Sequence, residues 1–292
     1  MGEMDFLPEG IFQPLADVAN NLIDKLANVA GYIVTPKGRR KDRKEAAEYL
    51  IEAIKNNSKM SSMEKAAAIS NTRKMIKEYC NQADILDIAM PYLNEHSDIS
   101  LLDDDWIFNY MDKAAKISNK DVQLIFGRLL AEECNNPKSV SKLLINTLSL
   151  MDNQSASAFK KMCKYIIFEI DNKGEKEPNV VIPDVSNLEK YNILLKFHEI
   201  VDLTGLGFIE YTTGAGSSYC IYGDVECMYG NFKLKLSSKD GTEKVSVGVV
   251  NLTRIGRELA NIIISEPDYV YFDKIKEYWD EENIEIKIEC QP

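Results

Sequence analysis

The apolar residues of this chain change period near its middle, and that change limits the fold more than any other feature. Up to about residue 170 they recur every three to four positions, the spacing of helices that bury one face. Val122, Ile125, Phe126, Leu129 and Leu130 make one such stripe. Asn135-Asn136-Pro137 ends it, because proline lacks the N–H that the helical ladder needs. Val140, Leu143, Leu144, Thr147, Leu148 and Met151 make a second stripe. Asp152 or Asn153 can cap a third helix, with Ala156, Phe159, Met162, Cys163 and Ile166 on one side. Phe126, Leu129, Leu144, Leu148 and Phe159 are expected to be buried together.

Asp171 to Pro178 is charged and carries Gly174 and Pro178, which reads as a linker, and beyond it the period shortens to two. Leu188 to Leu203 predicts a helix with Ile193, Leu194, Phe197, Ile200 and Val201 inward. Runs rich in β-formers follow at 207–212, 219–222, 231–237 and 243–252. Asp240-Gly241 lies between two alternating runs, Phe232/Leu234/Leu236 and Val245/Val247/Val249. It predicts a hairpin, since Asp-Gly accepts the positive φ angles of a tight turn. Thr253 is placed to cap a helix bearing Ile255, Leu259, Ile262 and Ile263, and Tyr271 to Trp279 predicts another. Ile284, Ile286 and Ile288 alternate with charges as a final edge strand. The expected class is α+β: a helical region over 1–170, a linker over 171–187, and a smaller α+β domain with antiparallel hairpins over 188–292. The helical core is expected at about 104–168.

Nearer the start, Leu15, Val18, Ala19, Leu22, Leu26, Val29, Ala30 and Ile33 predict an amphipathic helix over 15–34, stopped at Thr35-Pro36. Residues 37–44 read KGRRKDRK, a local charge of +5. A second helix is expected from about 42 to 55, and one or two more over 61–94, broken near Pro91. Asp103, Asp104 and Asp105 precede Trp106. An acidic run before a helix complements its dipole, with Asp104 or Asp105 as the cap.

Composition narrows the function classes. The net charge of −11 and pI near 4.9 repel phosphate backbones, so general nucleic-acid affinity is disfavoured. Ser265 to Cys290 alone carries nine acidic and three basic residues, the wrong sign for a DNA-reading wing. Six scattered cysteines without paired spacing read as reduced cytosolic thiols. No run approaches about eighteen apolar residues, so no transmembrane helix is expected.

The glycines 214, 216 and 223 lie between strand-like runs with no Gly-Lys-Ser/Thr after them. They read as a hairpin loop rather than a phosphate cradle. Cys220 and Cys227 lack the further ligands of a zinc site, since the only histidines, His96 and His198, lie far off in sequence. No catalytic, cofactor-binding or metal residue is therefore assigned. Two groups remain as contact candidates. Lys37, Arg39, Arg40, Lys41, Arg43 and Lys44 follow the amphipathic helix, an arrangement that suits an anionic membrane or another anionic partner. Glu132 and Glu133 sit near a helix end, where carboxylates are unfavourable, and are candidates for partner contact.

The order of several segments carries a resemblance. Asp105-Trp106-Ile107 comes first, then a helix ending Leu130-Ala131-Glu132-Glu133, then Asn136-Pro137-Lys138-Ser139-Val140-Ser141, a Leu-rich helix and Ala156-x-x-Phe159. The chain thereby resembles the bacterial family catalogued as domain of unknown function 2806, related to the abortive-infection alpha proteins. The amphipathic start with its basic run and the late Leu252-Thr253-Arg254-Ile255-Gly256-Arg257-Glu258-Leu259 agree, giving a span of roughly residues 15–265. The family pattern usually has Trp where this chain has Phe126, and Gly where it has Lys138. The family carries no agreed catalytic residues, so none transfers. The resemblance implies bacterial cytoplasm and proximity to phage-defence genes. The reading that follows is a non-enzymatic interaction or scaffold component of anti-phage, abortive-infection-type defence. It is expected in the cytoplasm, with a protein partner or self-association and no cofactor. Two alternatives stand beside it. One is an effector that associates peripherally with the inner membrane through residues 11–44. The other is a nucleic-acid-binding regulator with a winged-helix-like C-terminal domain.

Overall fold

A computed structural model of the chain describes residues 13–32, 40–212, 218–242, 244–263 and 265–290. The architecture is α+β, in two compact units that divide between Leu150 and Met151.

The first unit is helical: α1 (Gln13–Ala30), α2 (Arg40–Lys55), α3 (Ser62–Ala89), α4 (Asp104–Lys116), α5 (Lys120–Asn135) and α6 (Lys142–Leu148). Helix α1 packs on α4 and on the 3₁₀ turn Ile99–Leu101 and buries Val18, Ala19, Leu22 and Leu26, the last two 0% exposed, and Lys25 Nζ reaches Asp104 Oδ1 at 2.5 Å. Ser61 and Glu64 start α3 with a reciprocal capping box, and Pro91 in the short 3₁₀ turn that follows ends it. Gly127 lets α5 approach α3 closely: a Cβ there would lie 2.4 Å from Ile88 Cγ2. Asp103 caps α4, one residue earlier than expected, accepting the Trp106 N–H at 2.7 Å. Asp104 and Asp105 then fall in the first turn, where their charge suits the helix dipole. Trp106 stacks on Tyr110 at 5.0 Å and Tyr110 lies 5.6 Å from Phe126, whose carbonyl accepts the Tyr110 hydroxyl at 2.8 Å. The α5 stripe is buried as read. In the two-turn α6 the inner side is Leu144, Ile145 and Leu148, which leaves Leu143 exposed.

The second unit comprises α7 (Asn153–Met162), β1 (Ile166–Ile170), β2 (Lys176–Val180), α8 (Phe197–Gly205), β3 (Ile209–Tyr211), β4 (Tyr219–Tyr222), β5 (Val225–Tyr229), β6 (Phe232–Ser238), β7 (Lys244–Gly248), β8 (Val250–Leu252), α9 (Arg254–Ala260), α10 (Tyr269–Glu281) and β9 (Ile284–Cys290). Among the described residues, five strands pair antiparallel in the order β2-β1-β5-β6-β9, and β3 pairs with β8 and β4 with β7. The residues expected as a linker build a β-hairpin instead. Ile166 begins a strand rather than ending a helical stripe, and Asp171 Oδ1 accepts the N–H groups of Lys173 and Glu175, both at 2.8 Å, to fix the turn. The division accordingly falls some twenty residues before the expected boundary, and Phe159 belongs to the second unit. Its ring is buried and meets Phe208 at 5.2 Å within that unit.

Two more expectations need correction. Asp240-Gly241 does turn the chain, with Gly241 at φ 72° and the Thr242 N–H on Asp240 Oδ1 at 2.9 Å. The flanking strands do not pair with each other: β6 lies between β5 and β9, and β7 pairs with β4. The dipeptide specifies a reversal, not the neighbour that the next strand finds. The helix expected over Leu188–Leu203 is broken at Asn192, which takes a left-handed conformation (φ 56°). The break resets the helical phase. Ile193 and Ile200 are buried, while Leu194, Phe197 and Val201 are exposed.

Candidate interaction surface

Glu133 and its surroundings show what the Asp105–Ile107, Leu130–Glu133 and Asn136–Ser141 segments do in the first unit. The buried carboxylate accepts the Lys138 N–H at 2.7 Å and the Val140 N–H at 2.9 Å, and the Val140 carbonyl accepts the Trp106 indole N–H at 2.7 Å. Burial pushes the Glu133 pKa up, while the bonds from Lys138 and Val140 pull the other way. Lys138 itself sits at φ 75°, the left-handed region that favours glycine. Asp103, Trp106, Glu133, Lys138 and Val140 thus form one structural clamp that ties the start of α4 to the turn after α5. Glu133 is buried within it and is no partner contact. Glu132 accepts the Asn136 side-chain amide at 2.9 Å and stays half-buried.

Of the basic candidates, Lys37 and Arg39 lie outside the described residues. Arg40, Lys41, Arg43 and Lys44 fall in the first turns of α2, with side chains outside the description. His96 and His198 are exposed. Cys134, Cys163 and Cys227 are buried, and burial pushes their thiols up, that of Cys227 to about 12, so these three are poor nucleophiles. Among the described residues, no group of three His, Cys, Asp or Glu side chains is placed to hold a metal, and no helix is long and apolar enough to cross a membrane. A cleft of about 240 Å³ in the second unit, bordered by Lys164, Phe168, Met228, Gly230 and Pro267, is smaller than the roughly 300 Å³ at which small-molecule sites begin.

The feature that sequence reading missed is the hairpin of α2 and the first part of α3. The two helices pack on each other with Ala47, Ile51, Ile54, Ala68, Ile69, Thr72 and Ile76 half-buried, yet no residue from Glu45 to Cys80 is fully buried. A second apolar stripe faces outward on each helix. On α2 it is Ala46, Tyr49, Leu50 and Ala53. On α3 it is Met63, Ala67 and Met75, interrupted by the polar Asn71. Tyr49 is 77% exposed, Met63 84% and Met75 67%. Charges of both signs flank the stripes: Glu45, Glu48, Glu52 and Lys55 on α2, and Glu64, Lys65, Arg73, Lys74, Lys77 and Glu78 on α3. The signal was available in the sequence as two apolar stripes per helix instead of one. Alanines supply much of both, which blurs each stripe.

These features define a class: an α+β protein whose helical unit carries an exposed helical hairpin and a buried carboxylate clamp. The chain belongs to the family described as Protein of unknown function (DUF2806), which matches residues 70–276, more than half of its length. The match begins within α3, so α1, the basic run and α2 precede it, in contrast to the start near residue 15 expected from sequence. The late Leu252–Leu259 segment lies inside it and is structural. Thr253 caps α9 and donates its hydroxyl to the Gly207 carbonyl at 2.6 Å, and a Cβ on Gly256 would lie 2.0 Å from the Phe208 carbonyl oxygen. No curated protein and no solved structure matches the chain.

Proposed function

We propose that this protein is a non-enzymatic interaction or scaffold component, acting in bacterial anti-phage defence of the abortive-infection type from the cytoplasm. The outward apolar stripes of the α2–α3 hairpin carry the interaction part, because contiguous exposed apolar surface rimmed by charge marks a binding face. The defence part rests on the resemblance to the abortive-infection alpha proteins. Burial of Leu22 and Leu26 supports a scaffold over a membrane effector, since the stripe that would enter lipid headgroups is used inside the first unit.

The test is a phage challenge of cells expressing the intact chain or the folded triple variant Leu50→Asp, Met63→Asp, Met75→Asp. Protection by the first and its loss in the second is the expected result. Full protection by the variant would remove the hairpin from the function. Co-sedimentation of the purified protein with anionic vesicles would favour the membrane effector instead. Submicromolar DNA or RNA binding that falls steeply with salt would favour the regulator.

A further inference from the structure

We propose that a second copy of this chain adds its own β9 to β9, antiparallel about a two-fold axis at Ile286, and so joins the two five-stranded sheets into one. The inference is independent of the α2–α3 hairpin. Strand β9 ends its sheet, and among the described residues no backbone bond leaves its outer side. Which groups point outward follows from the ladder. The Lys239 N–H bonds to the Asn283 carbonyl at 2.7 Å, so Asn283, Glu285, Lys287 and Glu289 turn their backbone groups toward β6. The two-residue turn joining Tyr229 to Phe232 gives β6 the same parity. Ile284, Ile286 and Ile288 are left with N–H and C=O groups aimed away from the sheet. The apolar layer also stops short there: Leu234 on β6 is 0% exposed, while Ile288 directly opposite it is 42% exposed. The other edge strand, β2, carries Pro178 and packs against α9.

The three antiparallel registers with the longest overlap centre on Ile286, Lys287 or Ile288. Centring on Lys287 sets Lys287 against itself and Glu285 against Glu289, pairs of like charge that destabilise a ladder. Centring on Ile288 puts Ile284 opposite Pro292, which has no N–H to give. Centring on Ile286 sets Glu285 against Lys287 twice, Ile284 against Ile288 twice, and Ile286 against itself. The outward groups of all three isoleucines then pair, and Glu285 and Lys287 take the non-hydrogen-bonded positions, where side chains lie closest. This register also answers a like-charge contact within the chain. Lys287 lies directly opposite Lys235, and its carboxylate, Glu285 at 3.6 Å, stands two residues along its own strand. A second copy brings another Glu285 to the free side of Lys287. On this face β5, β6 and β9 carry three lysines and three glutamates, and Asp224 just before β5 adds one negative charge. The edge is thus close to neutral in a chain of net charge −11. An isologous two-fold contact of this kind closes on itself.

Sedimentation velocity on the full chain tests the association, with an expected mass of twice 33.1 kDa. Glu285→Lys sets lysine against lysine at both pairs and should weaken the dimer by about tenfold or more. Glu285→Lys/Lys287→Glu restores unlike pairs and should recover the dimer. Both residues are exposed, so the melting temperature should stay unchanged and separate lost association from lost fold. The register is tested by oxidising mixed chains in a background with Cys80, Cys220 and Cys290 changed to Ser. The chain with Glu285→Cys should cross-link to the chain with Lys287→Cys, and neither should cross-link efficiently to itself. A monomeric intact chain overturns the proposal, as does a dimer that Glu285→Lys leaves intact. A double variant that associates no better than Glu285→Lys alone overturns it too, and so does a Lys287→Cys chain that links to itself.

Discussion

Glu133 is a carboxylate whose two oxygens are spent on the backbone of its own turn, and its removal tests the clamp. Glu133→Ala leaves the buried Val140 N–H without an acceptor and should cost about 1–3 kcal/mol in denaturant unfolding. Lys138→Gly should do the opposite. It removes a left-handed conformation that costs a side-chain-bearing residue about 1 kcal/mol or more, and it should raise the unfolding midpoint. Glu199 gives a pH dependence. Burial works to raise its pKa, but the Lys161 ammonium at 2.7 Å and the Lys196 N–H at 2.8 Å outweigh that and hold it below its ordinary value of 4.5. A depressed carboxylate stabilises the fold fully above its unfolded pKa, and that contribution is lost as pH falls through the folded one. Urea midpoints measured from pH 7 down to pH 3 should therefore fall less steeply in Glu199→Gln than in the intact chain. Equal slopes would show that the carboxylate contributes nothing. At this scale sequence reading placed Glu132 and Glu133 at a helix end correctly, but the left-handed turn that points backbone N–H groups at Glu133 has no signature in a lysine.

Helices were legible where one face is apolar and long, and the α5 stripe is buried as its spacing requires. Phe126→Ala should cost about 3–5 kcal/mol, because the ring is 0% exposed beside Tyr110. Gly256→Ala should destabilise by about 1–3 kcal/mol, since its Cβ would displace the Phe208 carbonyl or shift α9. Thermal melts of the two variants check both. Strand partners were not legible. Asp240-Gly241 announces a turn from local φ preferences, but β6 is taken by β5 and β9, and the chain crosses to another sheet. The helix over Leu188–Leu203 failed for a related reason: one left-handed residue, Asn192, resets the phase, and a periodicity count carries the wrong face forward.

At the scale of the molecule, the amphipathic start was ambiguous between a core helix and a membrane anchor, and burial decides which side chains lie inside. Leu22→Asp with Leu26→Asp should abolish cooperative unfolding of the first unit, because it buries two charges without partners. A variant that stays folded and merely changes vesicle binding would show that the stripe is expendable to the core. What the sequence determined by itself is the class, the local starts and stops of the helices, and the acidic balance, since these depend on near neighbours and composition. Membership of the family was legible for the same reason, in motifs of a few residues. The tertiary structure alone decided that the units divide at Leu150/Met151, that Phe159 joins Phe208, and that the outer face of the α2–α3 hairpin is bare. Each of those depends on which distant surfaces pack together. An apolar stripe records only that a face wants cover, not what provides it.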